Sequence, residues 1–207
     1  MIKNIVFDLG RVIYTYRPRE YLLNLGFDET QADELMKRIF DSPLWLDIDR
    51  GLYSIKEGAE KMCADFPALA GDIRRVLDDS WVDGVLNFLP ASLEFFYEVK
   101  NRGYKTYILS NFGADSFAHI RRRDIFFFNE PDGIVVSAYE KCIKPDPEIY
   151  RRLLNRYALV PEETIFIDDS AENINAAKAL GIHGFVFTHI EDCKKQFSAI
   201  IEDNKIS

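Results

Sequence analysis

The sequence predicts an α/β fold in which a parallel sheet carries helices on both faces. Short apolar runs such as Ile5–Phe7 and Ile165–Ile167 have the length and composition of buried strands. Helical segments of about ten residues alternate with these runs, which is typical of βαβ units. A longer helical stretch without a convincing strand follows the first run and predicts a small helical insertion.

Size and composition limit the possible functions. The chain has 207 residues, of which 47% are hydrophobic, enough for one substantial domain or a core with a smaller insertion. The net charge of -8 argues against a general nucleic-acid binder, which would need a basic face. Cys63, Cys142 and Cys193 are isolated in the chain, so neither a zinc cluster nor a disulfide framework is indicated.

From the sequence we expect neither a signal peptide nor a membrane-spanning segment. Its N-terminal apolar run is interrupted by Asp8 and does not read as a signal peptide. No apolar stretch approaches the ~20 residues that span a bilayer. We therefore expect a cytoplasmic protein, a monomer or a homodimer, that binds no membrane.

The first strand ends at a carboxylate. The run Ile5–Phe7 stops at Asp8, and Gly10 two residues later permits a sharp turn. A charged group at the end of a buried strand is costly unless the site uses it, and ligands bind at this edge of open α/β sheets. The alternative is a simple turn or N-cap role for Asp8.

The insertion shows several helix starts. Asp28 and Ser54 are predicted N-caps, with Glu57 at the spacing of a capping box. Another helix is expected from Ala70, and the segment 41–45 is expected to break the pattern. We predict a helical domain over residues 17–89 and an α/β core over residues 1–16 and 90–207.

Alternating elements resume after the insertion. Glycines and prolines mark several of the predicted ends, among them Gly103 and Gly181 after helices and Pro147 at a helix entry. The pattern predicts helices over 91–101, 116–123, 148–157, 171–180 and 192–201, and strands over 106–109, 133–136, 164–167 and 184–187.

Polar residues follow three of the predicted strands. They are Asp8, the pair Ser110 and Asn111, and the pair Asp168 and Asp169, and Lys144 adds a cation at the entry of a helix. In parallel neighbouring strands these groups would meet at one edge of the sheet. Each also has a local explanation as a turn residue, an N-cap or a solvated charge.

Four stretches resemble, in order, the motifs of the haloacid dehalogenase (HAD) superfamily of hydrolases. They are Phe-Asp-Leu-Gly at 7–10, Ile-Leu-Ser-Asn at 108–111, Lys-Pro-Asp-Pro-Glu-Ile-Tyr at 144–150 and Ile-Asp-Asp-Ser at 167–170. The resemblance extends from residue 2 to about residue 190 and implies a Rossmann-like three-layer core with a small helical cap inserted after the first strand. The Phe-Asp-Leu-Gly variant is similar to the bacterial α-D-glucose-1-phosphatase-like sugar-phosphate phosphatases.

The resemblance implies a Mg²⁺-dependent phosphatase acting on a small phosphorylated metabolite, with a sugar phosphate expected. Asp8 would attack phosphorus and form an aspartyl-phosphate that water hydrolyses. The implied Mg²⁺ ligands are Asp8, the backbone carbonyl of Gly10, and the pair Asp168 and Asp169, with Asp169 favoured as the direct ligand and Asp168 acting through water.

The same resemblance assigns the groups that hold the phosphate. Lys144 would pair with Asp8 and the phosphate, and Ser110 and the Asn111 amide would donate to phosphate oxygens. Arg11 is a further phosphate-binding candidate, although it could instead lie against the cap.

One position departs from the family pattern. Most phosphatases of this superfamily carry a second aspartate two residues after the nucleophile as general acid and base, and here that residue is Gly10. General acid catalysis typically contributes ~10²–10⁴-fold, so another group or water is needed for poor leaving groups. His119, Asp47 and Asp49 are candidates, and the sequence does not select among them.

Several other side chains have structural explanations. His183 and His189 lack metal spacing and are expected to be structural. Trp45, Tyr53 and Trp81 are expected to pack between helices, with a pocket for an apolar or sugar face as the alternative.

Two other functions remain open. A 2-haloacid dehalogenase would use Asp8 without Mg²⁺ and would need an arginine for the substrate carboxylate, such as Arg38 or Arg50. A catalytically weak phosphate-binding or regulatory domain would also tolerate Gly10, although the intact set of polar strand ends argues against it.

Overall fold

Five parallel strands form one sheet in the computed structural model, which describes residues 1–78 and 80–204. The sheet order is β3-β2-β1-β4-β5, so β1 lies at the centre. Phe7 of β1 pairs with Ile108 on one side and Ile167 on the other. The predicted parallel sheet is confirmed, with strands β1 Asn4–Phe7, β2 Lys105–Ser110, β3 Gly133–Val136, β4 Thr164–Asp168 and β5 His183–Val186.

Helices cover both faces of the sheet because its strands are apolar on both sides. Side chains alternate along a strand, so Ile5 and Phe7 join one buried cluster and Val6 joins the other. The first cluster includes Phe95 and extends into the helical insertion, and the second contains Ile149. This arrangement gives the three layers of the predicted α/β fold.

Six α-helices lie among the described residues between β1 and the next helix of the core. They are α1 Pro18–Asn24, α2 Glu29–Leu35, α3 Pro43–Asp49, α4 Ile55–Asp65, α5 Ala70–Val76 and α6 Trp81–Val85, with a π-helical turn at Met36–Phe40 and a 3₁₀ turn at Pro67–Leu69.

The remaining helices connect and flank the strands. They are α7 Pro90–Asn101, α8 Ala114–Arg123, α9 Ile125–Phe128, α10 Ser137–Glu140, α11 Pro147–Tyr157, α12 Ala171–Lys178 and α13 Ile190–Asp203, with a 3₁₀ turn at Pro161–Glu163. The longest, α13, has 14 residues, and no helix of the described chain is long and apolar enough to cross a membrane.

Local capping explains where the insertion helices begin. Asp28 and Ser54 cap α2 and α4, and Glu57 completes a capping box at α4, as predicted. Gln31 completes a second capping box at α2. The expected break of the helical pattern within 41–45 is confirmed at Asp41 and Ser42, which separate two helical segments. Ser42 caps a new helix through the Trp45 N–H, at 3.2 Å, and the following proline occupies its first turn, so the chain restarts as α3 instead of remaining irregular.

Polar contacts tie the insertion to the core near the carboxyl edge of the sheet. The Ser137 hydroxyl donates to the backbone oxygen of Asp49 at 2.5 Å, which joins the end of α3 to the start of α10. Arg123 of α8 pairs with Asp83 of α6 at 2.8 Å. These contacts fix the position of the helices that face the sheet edge.

We expect Gly51→Ala to destabilise the protein more than Gly103→Ala does. Both glycines have left-handed φ values, +74° and +89°, which cost a residue with Cβ about 1–2 kcal/mol. A Cβ at Gly51 would also lie 2.3 Å from the Ala138 backbone oxygen, whereas one at Gly103 has no neighbour within 4 Å. Urea unfolding of both variants measures the difference, and equal losses would contradict the close packing of Gly51 against α10.

Candidate active site

The polar strand ends meet at one cavity. Asp8 follows β1, which lies between β2 and β4 in the sheet. Ser110 ends β2 and Asp168 ends β4, so the three residues lie side by side at the same edge. The cavity at this edge measures about 300 Å³. Its polar lining comprises Asp8, Gly10, Arg11, Tyr16, Asp41, Asp49, Ser110, Asn111, Gly113, Ser116 and Asp169.

A buried ammonium lies behind the nucleophile candidate. Lys144 Nζ is 2.9 Å from Asp8 Oδ1 and 2.6 Å from Asp168 Oδ2, and it also donates to the Leu109 backbone oxygen at 3.0 Å. The Lys144 side chain is 1% exposed. It is therefore held between two carboxylates inside the protein.

Asn111 fixes the backbone of this lysine. Its amide nitrogen donates to the Lys144 carbonyl at 3.0 Å, and its amide oxygen accepts from the Lys144 N–H at 2.8 Å. These two bonds join the end of β2 to the segment that precedes α11. Both ends of the Asn111 side-chain amide are therefore engaged. The Asn111 group that we predict to face phosphate would then be its backbone N–H.

Burial and the neighbouring charges have opposite effects on the pKa of Lys144 and partly opposite effects on the pKa of Asp8. Burial alone would lower the pKa of Lys144, but Asp8 and Asp168 outweigh it and raise that pKa, so the ammonium stays charged. Burial raises the pKa of Asp8 to about 6; Lys144 opposes this shift, while Asp168 and Asp169 add to it. Asp8 is thus a carboxylate that a nearby cation would help to ionise.

The two aspartates after β4 have different surroundings. Asp168 is fully buried, and besides Lys144 it accepts from the Ser170 N–H at 2.8 Å and the Asn173 amide at 2.9 Å. Asp169 is 25% exposed and lines the cavity. Carboxylate oxygens of Asp8, Asp168 and Asp169 lie within 4.8 Å of one another, a spacing that could hold a metal ion.

Arg11 lines the same cavity. Its guanidinium is 3.3 Å from Asp169 Oδ2 and lies over the Tyr16 ring at 5.4 Å from the centroid. The backbone of Arg11 has a left-handed φ of 57°, a feature that the sequence does not signal. The side chain thus combines contact with an acidic residue and with an aromatic ring of the cavity wall.

The wall contributed by the insertion is mostly apolar. Trp45 and Trp81 pack edge to face with centroids 5.2 Å apart, and Phe40 lies 4.8 Å from Trp45. Both tryptophans therefore pack between helices, as expected, and also face the cavity. The apolar lining residues are Phe40, Trp45, Ile48, Ile55, Trp81, Leu86 and Phe112.

Of the three candidates for the missing acid, Asp49 lines the cavity. Asp47 pairs with Arg50 at 2.9 Å, and His119 pairs with Asp83 at 3.0 Å. Neither Asp47 nor His119 is among the described residues that line the cavity.

The remaining candidates occupy other surroundings. Arg38 lies over the Phe66 ring, and Tyr53 lies beneath Lys61. His183 contacts the Glu162 carbonyl, and His189 caps α13. None of these four side chains, nor Arg50, lines the cavity in the described part of the chain.

The sequence did not reveal two supporting residues. Ser137 is fully buried and accepts from the Phe112 N–H at 2.8 Å, and Asn173 orients Asp168. Ser137 follows a strand, where a polar residue at the carboxyl edge is a usable signal. Asn173 lies three residues after the N-cap Ser170, a spacing that suggests capping before it suggests a contact with Asp168.

We expect Lys144→Met to destabilise the metal-free protein by about 3–5 kcal/mol, because it leaves two buried carboxylates without their cation. Urea unfolding with a chelator present measures this loss. Lys105→Met is the matched control, since Lys105 is 64% exposed and pairs with Asp132 at the surface, where ion pairs contribute little. Similar losses in the two variants would contradict the proposed dependence of the fold on Lys144.

Comparison with known proteins agrees with this geometry. A sesquiterpene phosphatase of Aspergillus oryzae is 28% identical, with 90% of each chain covered. A D-ribitol-5-phosphate phosphatase of Bacteroides thetaiotaomicron is 24% identical over 97% of this chain and 99% of its own. A HAD family enzyme of the same bacterium, solved in complex with magnesium and inorganic phosphate, superposes with a TM-score of 0.73 at 22% identity, covering 91% of this chain and 95% of its own. Residues 2–181 match the haloacid dehalogenase-like hydrolases, and the chain belongs to that family.

Proposed function

We propose that the protein is a Mg²⁺-dependent phosphatase that hydrolyses a small phosphomonoester through an aspartyl-phosphate intermediate. The observation that carries this proposal is the placement of Asp8. Its carboxylate lines the cavity, has a buried ammonium 2.9 Å behind it, and lies beside two further carboxylates. The resemblance of the chain to phosphatases over nearly its whole length supports the same conclusion.

In this proposal Asp8 is the nucleophile. The Leu9 N–H and the Lys144 ammonium both contact Asp8 Oδ1, at 2.7 and 2.9 Å, and therefore orient the carboxylate. The other oxygen of Asp8 would attack phosphorus, which divides a difficult displacement into two easier ones. Lys144 acts by positioning and by charge, because phosphoryl transfer depends mainly on those two effects.

The acidic cluster fits Mg²⁺, a hard cation that binds a few carboxylates together with water and phosphate oxygens. Asp8, Asp169 and the Gly10 carbonyl would hold it directly, since all three residues line the cavity. Asp168 would act through water, because its oxygens already accept three hydrogen bonds. When bound, the ion would offset the charge of the carboxylates and the phosphate.

The phosphate oxygens would be held by groups at the cavity floor. Ser110 ends β2 and lines the cavity, and the backbone N–H of Asn111 follows it. Arg11 would contribute a charged donor by exchanging part of its contact with Asp169 for the phosphate. Lys144 is not among the described lining residues, so its contact with phosphate remains a prediction of the family resemblance.

We also propose that residues 17–89 act as a cap over the site. Support comes from the helices in this segment, which supply most of the apolar wall, and from their contacts with α8 and α10. Specificity for the alcohol part of the substrate would then reside in this segment.

The substrate class has two candidates. The family resemblance predicts a sugar phosphate, and one relative is a D-ribitol-5-phosphate phosphatase. The wall of two tryptophans, two phenylalanines and three aliphatic residues favours an alcohol with an apolar face. The other relative, a sesquiterpene phosphatase, is named for an apolar substrate of that kind.

The dehalogenase alternative gains no support from the geometry. Arg38 and Arg50, the proposed carboxylate-binding arginines, are not among the described residues of the cavity wall. The following experiment also tests whether the protein is instead a catalytically weak phosphate-binding domain.

We expect Asp8→Asn to lower Mg²⁺-dependent release of phosphate from an aryl phosphate by at least about a thousandfold, because it removes the nucleophile. Asp65→Asn, at an exposed position of α4, is the control for the same chemical change elsewhere. Phosphate is measured with Mg²⁺ and with chelator. Binding of inorganic phosphate without turnover in the wild type would support the binding domain, and halide release from a 2-haloacid would support a dehalogenase.

We expect a terpenyl phosphate to be hydrolysed with a kcat/KM at least about tenfold above that of a pentitol phosphate, also an ester of a primary alcohol, because burial of apolar area contributes roughly 25 cal/mol per Å². A panel of phenyl, terpenyl, hexose and pentitol phosphates at equal Mg²⁺ measures the order. Higher values for the hexose or pentitol esters would instead favour the sugar-phosphate assignment.

A further inference from the structure

We propose that Asp49 is the general acid and base of this enzyme, in place of the aspartate that Gly10 replaces. This inference rests on the proposed phosphatase function. It assigns a catalytic role to a side chain of α3, in the helical segment, for a step that most superfamily members perform with a residue of the first strand's loop.

We select Asp49 for this role by elimination among the acidic residues that line the cavity. Four described aspartates line it. Asp8 is the proposed nucleophile and Asp169 a proposed metal ligand, which leaves Asp41 and Asp49. Asp41 is exposed, whereas Asp49 is half-buried and reaches the cavity from the last turn of α3.

Asp49 is held by the core although it belongs to an insertion helix. Its backbone oxygen accepts from the buried Ser137 hydroxyl, which in turn accepts from the Phe112 N–H of the loop after β2. The next residue of that loop, Gly113, packs against α3, where an added Cβ would lie 3.0 Å from the Ile48 side chain, and its N–H lowers the pKa of the Asp49 carboxyl. Asp49 is therefore tied to the loop that begins with the proposed phosphate-binding residues, a requirement for a preorganised proton donor.

The surroundings of Asp49 suit a proton donor at neutral pH. Burial raises the pKa of its carboxyl to about 7; the Gly113 N–H opposes this shift, Asp8 adds to it and Lys144 opposes it. The other charged groups that line the cavity are Asp169, Arg11 and Asp41. A general acid is most effective when its pKa lies near the working pH.

The proton balance of the reaction can then be written. Asp8 attacks phosphorus, the bond to the ester oxygen breaks, and the Asp49 proton passes to that oxygen to release the alcohol. The Asp49 carboxylate next takes a proton from the water that attacks the aspartyl-phosphate. The bond between phosphorus and Asp8 breaks, phosphate leaves, and Asp49 is again protonated.

The test compares leaving groups of different quality. 4-Nitrophenolate is a good leaving group that departs without being protonated, whereas an alkoxide must receive a proton as it departs. We expect Asp49→Asn to lower kcat/KM for an alkyl phosphate by ~10²–10⁴-fold and for 4-nitrophenyl phosphate by about tenfold or less. The ratio kcat/KM covers the steps up to release of the alcohol, so the later hydrolysis of the intermediate does not obscure the comparison.

Two variants separate catalysis from folding. Asp47→Asn alters the same helix outside the cavity and should leave kcat/KM for both substrates unchanged. Asp49→Glu retains an acid and should recover part of the alkyl phosphate activity that Asp49→Asn loses. The pH profile adds a further readout, because wild-type activity on the alkyl ester should fall above about pH 7 as Asp49 ionises, and this fall should be absent in Asp49→Asn.

Equal losses on the two substrates, or an unchanged alkaline limb in Asp49→Asn, would overturn the role of Asp49 while leaving the phosphatase function intact. Absence of Mg²⁺- and Asp8-dependent turnover in the wild type would overturn both proposals. The two failures are therefore distinguishable.

Discussion

The site depends on one buried cation. Lys144 contacts Asp8 and Asp168 at 2.9 and 2.6 Å, and those aspartates follow or end neighbouring strands. Without the ammonium, carboxylates gathered at the centre of the sheet edge would repel one another in a poorly solvated place. Asn111 clamps the backbone of Lys144 with two hydrogen bonds, so the loop after β2 and the segment before α11 are fixed together. The same ion pair that stabilises the edge also orients the proposed nucleophile.

The cavity combines two environments with different origins. The sheet edge contributes carboxylates, a hydroxyl and backbone groups, which suit a metal ion and a phosphate. The helical insertion contributes aromatic and aliphatic side chains, which suit the alcohol of an ester. Ser137 and Gly51 hold the end of α3 against α10 at the boundary. Because these contacts pack the boundary closely, a side chain of the insertion such as Asp49 lines the cavity at the sheet edge.

The architecture was largely predictable because its signals are local. Buried strands require uninterrupted apolar runs, and helix starts require caps, and both are readable from adjacent residues. The core helices longer than four residues begin and end within two residues of the predicted bounds. The break within 41–45 was predicted, and the same residues Ser42 and Pro43 that interrupt one helical segment also begin the next. The short helices α9 and α10 lack enough length to show a period.

The sequence by itself determined the fold class and the order of polar residues along the strands, because strand alternation and turn chemistry are properties of neighbouring residues. It therefore predicted that Asp8, Ser110 and Asp168 lie at one edge of the sheet. The tertiary structure decided which side chains face the cavity. Asp169 lines it while Asp168 turns to Lys144, and Asp49 lines it while Asp47, two residues away, does not. The direction of Asp168 depends on its ion pair with Lys144, and that of Asp49 on how the end of α3 packs against α10. Both are long-range contacts that the local sequence does not encode.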